Sequence, residues 1–431
     1  MKLYLMRSFV TRLSAMMDNR ALSLVVSLAC FQFFAAIISI PRAYAVGTAV
    51  LLLCSLLHLA KGRHAPLCKW DKALIGVLMF IFFTGLFTWA YHGNSWASFD
   101  LTTRYLLAIP IFLMLMAVPP KQAWIWGGFV AGSVSGLAVA LWETQILDIR
   151  RADGFTGGIQ FGDLGLMMAV FCAAGLSWAR SLPRHSTGWV VALAIGIASG
   201  AGSSIMSGTR GGWVALPAIV LVFLAAYIRR DNLLKLVAVL AVLVAGMAIL
   251  AVSVPMVQTR YEHALVDIRK FEHGNPNSSL GARFAMWESL MIIIPQKPLL
   301  GWSDEAYKDE QQRLIAEGTV PPIVGKLANT HNTFLELWVH YGLLGLLSVI
   351  ALFVVSFFMF AGKLRDDSAA VRASAIAGMQ LTLCYAIFSQ TQIMLGRNNT
   401  LLFFILALLI FWVMLRSGSA ADGRHPLGIN S

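Results

Sequence analysis

Unbroken apolar runs of about 17 to 25 residues recur along the chain, each long enough to cross roughly 30 Å of hydrocarbon as a helix that pairs its own backbone groups. They fall approximately at 21 to 39, 44 to 60, 73 to 91, 101 to 118, 123 to 142, 163 to 180, 189 to 206, 212 to 228, 233 to 254, 334 to 360, 369 to 390 and 400 to 415, predicting about 12 transmembrane helices. Most connections are short and polar. The exception is residues 255 to 333, and loops of that length are uncommon unless they act. Within it, "NSSLGARFAMWESLMIII" sets cap-type residues ahead of Leu280, Phe284, Trp287, Leu290, Met291 and Ile294 at helical spacing. That pattern predicts an amphipathic helix lying on a membrane surface. The turn-rich "PQKPLLGWSDEAY", an acidic helical run and the "VPPIVGK" break follow. The chain therefore divides into membrane helices over 1–254, the large loop over 255–333, and three last helices with a tail over 334–431.

Composition strengthens this reading: 58% of the 431 residues are hydrophobic and only 13% charged, with mean hydropathy +0.72. A soluble fold cannot hide that much apolar surface, so the fold class is an all-α integral membrane protein. The net charge of +12 is mostly a topology signal and not a nucleic-acid footprint. Basic residues crowd alternate connections: Lys2, Arg7, Arg12 and Arg20; Lys61, Arg63, Lys69 and Lys72; Arg180 and Arg184; Arg229, Arg230 and Lys235; Lys363, Arg365 and Arg372; Arg416 and Arg424. The positive-inside rule puts these and both termini in the cytoplasm and the 255–333 loop outside. That loop carries nine acidic and eight basic residues and is near neutral. The "PRAYA" segment after the first run is not a signal-peptidase site, since the run exceeds a signal peptide's core of roughly 7 to 15 residues and another span follows at once. The five cysteines suggest neither a disulfide framework nor a metal site. No P-loop, dinucleotide glycine motif or HExxH is present, so nucleotide hydrolysis and metalloprotease chemistry lack support.

Candidate chemistry gathers at the expected outer rim. His331, in "NTHNTFLELWVHYGLLG", would be a well-chosen general base, since a neutral imidazole beside arginines stays ready to take an alcohol proton; the plain alternative is a polar loop residue bonded to backbone. Asn332 adjoins it. Thr333 and Glu336 fit an S/T-x-x-E capping box that would hold His331 at a fixed height. His340, nine residues on, is expected to face the other side. Arg210 sits in "SGTRGGW", where flanking glycines, Ser207, Thr209 and a guanidinium fork could receive phosphate oxygens, or where an arginine simply anchors a turn. Arg283 lies on the amphipathic helix. Trp213, Trp287, Trp302, Tyr307 and Trp338 suit sugar faces and equally an interfacial belt. The first outer connection has no carboxylate pair to hold a divalent metal, so a diphosphate here would be neutralised by arginines, with no metal or other cofactor.

"GTRGGW", "GARFAMWESL" with "PQKPLLGW", and "HNTFLELWVHYGLLG" together resemble the O-antigen ligase family, which shares this signature region with O-antigen polymerases and protein O-oligosaccharyltransferases. The chain departs from the family pattern where Trp302 and Ser303 follow "PLLG". The resemblance implies a fold similar to the membrane-embedded, GT-C-like glycosyltransferases. It also implies transfer of a glycan from undecaprenyl diphosphate to a hydroxyl of lipid A core oligosaccharide, at the periplasmic face of the bacterial inner membrane, with inversion. By matched position His331 would activate the acceptor, Arg210 and Arg283 would bind the diphosphate, and Asn332, Trp287 and Trp213 would contact substrate. A polymerase or protein transferase using the same donor is the neighbouring reading. A lipid or solute transporter is the third, but it would place its charges near the bilayer midplane.

Overall fold

A computed structural model describes residues 19–60, 62, 65–228 and 255–421. The run expected at 233 to 254 and the basic residues before Asn19 lie outside them. The regular elements among the described residues are all helices, without strands. In chain order they form α1 (Asn19–Ala36), α2 (Ala43–Leu59), α3 (Lys69–His92), α4 (Trp96–Ala117), α5 (Gln122–Leu141, ending in a π-turn), α6 (Gly158–Ser181), α7 (Ser186–Ser207), the single turn α8 (Arg210–Trp213), α9 (Leu216–Tyr227), α10 (Pro255–Glu272), α11 (Ser279–Ile293), α12 (Asp304–Ala316), α13 (Thr333–Ala361), α14 (Ala369–Phe388) and α15 (Asn398–Ala421). Eight of these are long and apolar enough to cross a membrane, and α1, α2 and the α8–α9 segment are shorter apolar helices.

Hydrophobicity all round a helix means burial on all sides or contact with lipid, and both occur here. Windows in α6 and α15 are 83% buried, whereas the α3 window is 28% buried. The first two are the centre of the bundle. Phe83 and Phe87 on α3, Leu53 on α2 and Phe358 on α13 are instead exposed apolar side chains, which suits an integral membrane protein whose outer solvent is acyl chain. At one end α3 and α15 are clamped: the buried Asp71 carboxylate pairs with Arg416 and accepts from Trp412 Nε1 at 2.7 Å. At the other end of α3, the His92 ring bonds the Leu300 carbonyl at 3.0 Å, so α3 ties the clamp to the large loop.

The loop has its own small core. Ala285, Met286, Leu290 and Ile293 of α11 pack with Trp302, Tyr307 and Leu314, while Met291 and Ile292 are exposed at 58% and 40%. The buried face of α11 is thus rotated from the one read in the sequence. Ala282, Ala285 and Ser289 join Met286, Leu290 and Ile293 on the close-packed side, and Met291 and Ile292 remain outside. Trp302, Tyr307 and Trp338 are likewise structural: Trp302 Nε1 donates to Ile293 O at 3.2 Å, Trp338 Nε1 donates to Pro298 O at 3.1 Å, and Tyr307 is buried.

The loop docks on α13 through backbone. Trp302 N donates to Val339 O at 2.8 Å and Leu343 N to Pro298 O at 2.9 Å. This contact requires two glycines. A Cβ on Gly301 (φ +72) would lie 2.7 Å from Gly342 N, and one on Gly342 (φ +64) would collide with the Leu299 carbonyl. Gly342 also breaks the helical dihedrals of α13. The "PLLG" and "HYG" pieces are two halves of one joint, and Trp302 fits as the residue just after it.

Candidate active site

His331 stands on the last turn of chain before α13, and its neighbours are held on every side. Thr330 N donates to Glu336 Oε2 at 3.0 Å, and Thr330 O accepts from Trp287 Nε1 at 2.9 Å. His331 N donates to Asn329 Oδ1 at 3.1 Å. Asn332 Oδ1 accepts from Phe334 N and Leu335 N at 2.9 and 3.1 Å, and its Nδ2 donates to Gln390 O at 3.3 Å. Asn332 is therefore the helix cap, and the capping box expected at Thr333 is displaced by one residue: Glu336 reaches past the cap to Thr330. An asparagine oxygen accepts from the first-turn amides well, which frees Thr333 Oγ1 to donate to Gln392 O at 2.9 Å. His331 itself has φ +52, a left-handed backbone costing about 1 kcal/mol or more, which persists where surroundings over-determine it.

The segment after α14 forms the opposite wall. Thr333 N donates to Ser389 O at 2.8 Å, and His331 Nδ1 lies 3.2 Å from Gln392 Oε1. Beside Gln392, Thr391 Oγ1 would come within 2.7 Å of a Cβ on Gly211, and a Cβ on Gly212 would lie 2.7 Å from Asp163 Oδ1. The glycines of "TRGGW" thus let the α7–α8 turn press against both the His331 wall and α6. The Arg210 side chain lies outside the described residues; its backbone opens α8. Ser207 and Thr209 do not offer hydroxyls to an anion as the sequence suggested. Both are buried, bonded to each other at 2.9 Å and to the Ser204 and Gly158 carbonyls at 2.7 Å each, because they close the turn.

Arg283 of α11 lies near enough to interact electrostatically with both His331 and Asp163. Arg397, just before α15, donates to Thr156 O at 3.3 Å. Burial first, then the Arg283 charge, and also Arg397, lower the His331 pKa below the ordinary imidazole value, against an opposing hydrogen bond to the Gln392 side-chain oxygen. The ring is held neutral near neutral pH. Trp287 is half-buried, meets Phe284 edge-on and holds Thr330 through its indole N–H; Trp213 is half-buried at the end of α8.

Gln392 and Asp163 carried no sequence signal, and they and Arg397 are brought to the site by packing. Asp163 is fully buried, and neither carboxylate oxygen has a hydrogen-bond partner among the described residues. Beside Asn329, Thr333 and Arg397 lies a cavity of about 370 Å³ between α3, α4 and α13, reaching from Asn94, Asp304, Glu336 and His340 at its polar end to Val349. His340 lines it, 3.4 Å from Asp304 and 3.9 Å from Glu336, on the Glu336 side of the helix. Among the described residues no group of three or more His, Cys, Asp and Glu is placed to hold a metal ion.

Residues 192–350 match the family model described as O-antigen ligase. That interval contains the α7–α8 turn, the large loop and His331. Over 403 residues the chain is 27% identical to an uncharacterized protein of Haemophilus influenzae, covering 92% of this chain and 100% of that one. Over 182 residues it is 28% identical to a protein of Escherichia coli K12 named O-antigen ligase, covering 40% of this chain and 42% of that protein.

Proposed function

We propose that this chain, a member of the O-antigen ligase family, transfers a glycan from undecaprenyl diphosphate to a hydroxyl of lipid A core oligosaccharide at the periplasmic face of the inner membrane. Both termini are then cytoplasmic and the 255–333 loop periplasmic. The family is one of glycosyl-transferring membrane enzymes that build lipopolysaccharide; donor, acceptor and residue roles are the proposal. The observation that carries it is His331: a neutral imidazole on a clamped loop, beside arginines and backing onto the "TRGGW" turn.

The acceptor hydroxyl gives its proton to His331 as its oxygen attacks the anomeric carbon. The bond from that carbon to the diphosphate oxygen breaks, and undecaprenyl diphosphate leaves with the bonding electrons. Direct displacement inverts the anomeric centre. Arg283 and Arg210 neutralise the diphosphate, whose own bond supplies the driving force, without a metal. Glu336, Trp287 and Thr333 act on the chain that carries His331, and Asn332 caps the helix it precedes.

The test is to give purified protein a lipid-linked glycan with either lipid A core or a second lipid-linked glycan. Transfer to lipid A core alone is expected, and it should fall about 100-fold or more in His331→Ala while donor binding persists. Transfer only to the second lipid-linked glycan would make the protein a polymerase. No transfer to either, with lipid movement across vesicles, would make it a transporter.

A further inference from the structure

Neutral imidazole has one N–H and one lone pair, and a general base works only if the lone pair faces the proton it must take. The surroundings of His331 decide which nitrogen that is. Gln392 is 4% exposed, and its side-chain oxygen accepts from the Ile393 amide at 3.0 Å. A backbone N–H can only donate, so the atom opposite it must be oxygen and the carboxamide cannot be flipped. The same oxygen lies 3.2 Å from His331 Nδ1. A carboxamide oxygen only accepts, so Nδ1 must carry the hydrogen, and the lone pair is left on Nε2. The geometry points to Gln392 as the positioning residue that fixes His331 as the Nδ1–H tautomer and makes Nε2 the atom that receives the acceptor's proton.

Gln392 is itself anchored. Its carbonyl accepts from Thr333 Oγ1 at 2.9 Å, and that hydroxyl accepts from Met394 N at 3.0 Å. The amide is therefore a fixed reference for the ring. A neutral acceptor also suits the charges around it. Arg283 on α11 and Arg397 before α15 both disfavour a second proton on the ring. Among the nearby acids, Glu336 on α13 is turned to Thr330 N, and Asp163 on α6 interacts with Arg283. A carboxylate at position 392 would accept the same hydrogen but would also favour imidazolium, blocking the base at neutral pH. Glutamine selects the tautomer without adding that charge.

The inference rests on His331 being the base, but the ring's tautomer can be read without any transfer reaction. Ring nitrogen resonances of ¹⁵N-histidine protein in detergent, with His331 assigned by its loss in His331→Asn, should show Nδ1 protonated and Nε2 bearing the lone pair. Gln392→Leu should shift the ring towards the Nε2–H form and slow transfer at least about tenfold. Gln392→Glu should keep the Nδ1–H form and much of the maximal rate, while moving the acid limb of the rate profile upward by about one pH unit or more. An Nε2–H ring in the unaltered protein, or a tautomer untouched by Gln392→Leu, overturns the assignment. Should Gln392→Leu fail to fold, an acid limb unmoved in Gln392→Glu overturns it instead. A tautomer set by Gln392 alongside normal transfer in His331→Ala would leave the hydrogen-bond assignment standing and remove the base.

Discussion

Burial, Arg283 and Arg397 all push the His331 proton off the ring, with burial first. If His331 is the proposed base it must be deprotonated to act, so the rate should rise with pH through a midpoint below the ordinary imidazole pKa of about 6.5. Removing one of those positive charges raises the ring pKa. Arg397→Gln should therefore shift the acid limb of single-turnover transfer to higher pH, and a limb that stays in place would detach Arg397 from the imidazole. Arg210 answers to a different test. If its role is a planar two-point grip on a diphosphate, Arg210→Lys should weaken donor binding and rate by about tenfold or more although the charge is kept. Full activity in that variant would make it a generic positive anchor. The sequence named His331, Arg210 and Arg283 by residue type and motif. It did not name Gln392, because a glutamine 61 positions away becomes a partner only when α14 packs beside the start of α13.

The joint between the loop and α13 sets the height of everything above it. Gly342 needs both its positive φ and its missing Cβ, so Gly342→Ala should cost about 2 kcal/mol or more. The loss should be read as a lowered Tm and faster proteolysis of the 255–333 loop, with slower transfer because α13 carries His331 on its N-terminal side. Normal loop protection in that variant would show that the joint yields easily. Periodicity found α11 and, in Leu290 and Ile294, part of its inward face; it passed over Ala282, Ala285 and Ser289, because periodicity weighs hydrophobicity whereas close packing against α12 and α13 selects small residues. The cap of α13 moved by one residue for a comparable reason: Asn332 and Thr333 are both competent caps, and the Gln392 carbonyl claims the threonine hydroxyl.

Across the whole molecule, α3 runs from the Asp71–Arg416 clamp to the His92 contact with the loop. Asp71→Ala strands a partly buried arginine and should destabilise the protein by about 3 kcal/mol. Asp71→Ala with Arg416→Met should recover part of the lost Tm; no recovery would show that the carboxylate acts through Trp412 and Cys68 N alone. The proposed orientation predicts that cysteines at Ser278 and Ser303 react with an impermeant thiol reagent from the periplasm of intact cells and that one at Ser368 does not. Reaction of Ser368→Cys from outside would invert the map and take His331 off the periplasmic face.

The long apolar runs determined by themselves that this is a helical membrane protein, and the alternating basic connections supplied its expected orientation, because hydrocarbon thickness and charge act on each segment locally. The motifs likewise marked three stretches that resemble the signature of one family. Only tertiary structure decided how those stretches meet. The "TRGGW" turn touches Thr391, Gln392 touches His331, Trp287 and Glu336 hold Thr330, and Gly301 locks into Gly342. Each is a contact between residues remote in the chain or a choice between equally competent neighbours. Such contacts depend on which surfaces pack together, and no local pattern encodes that.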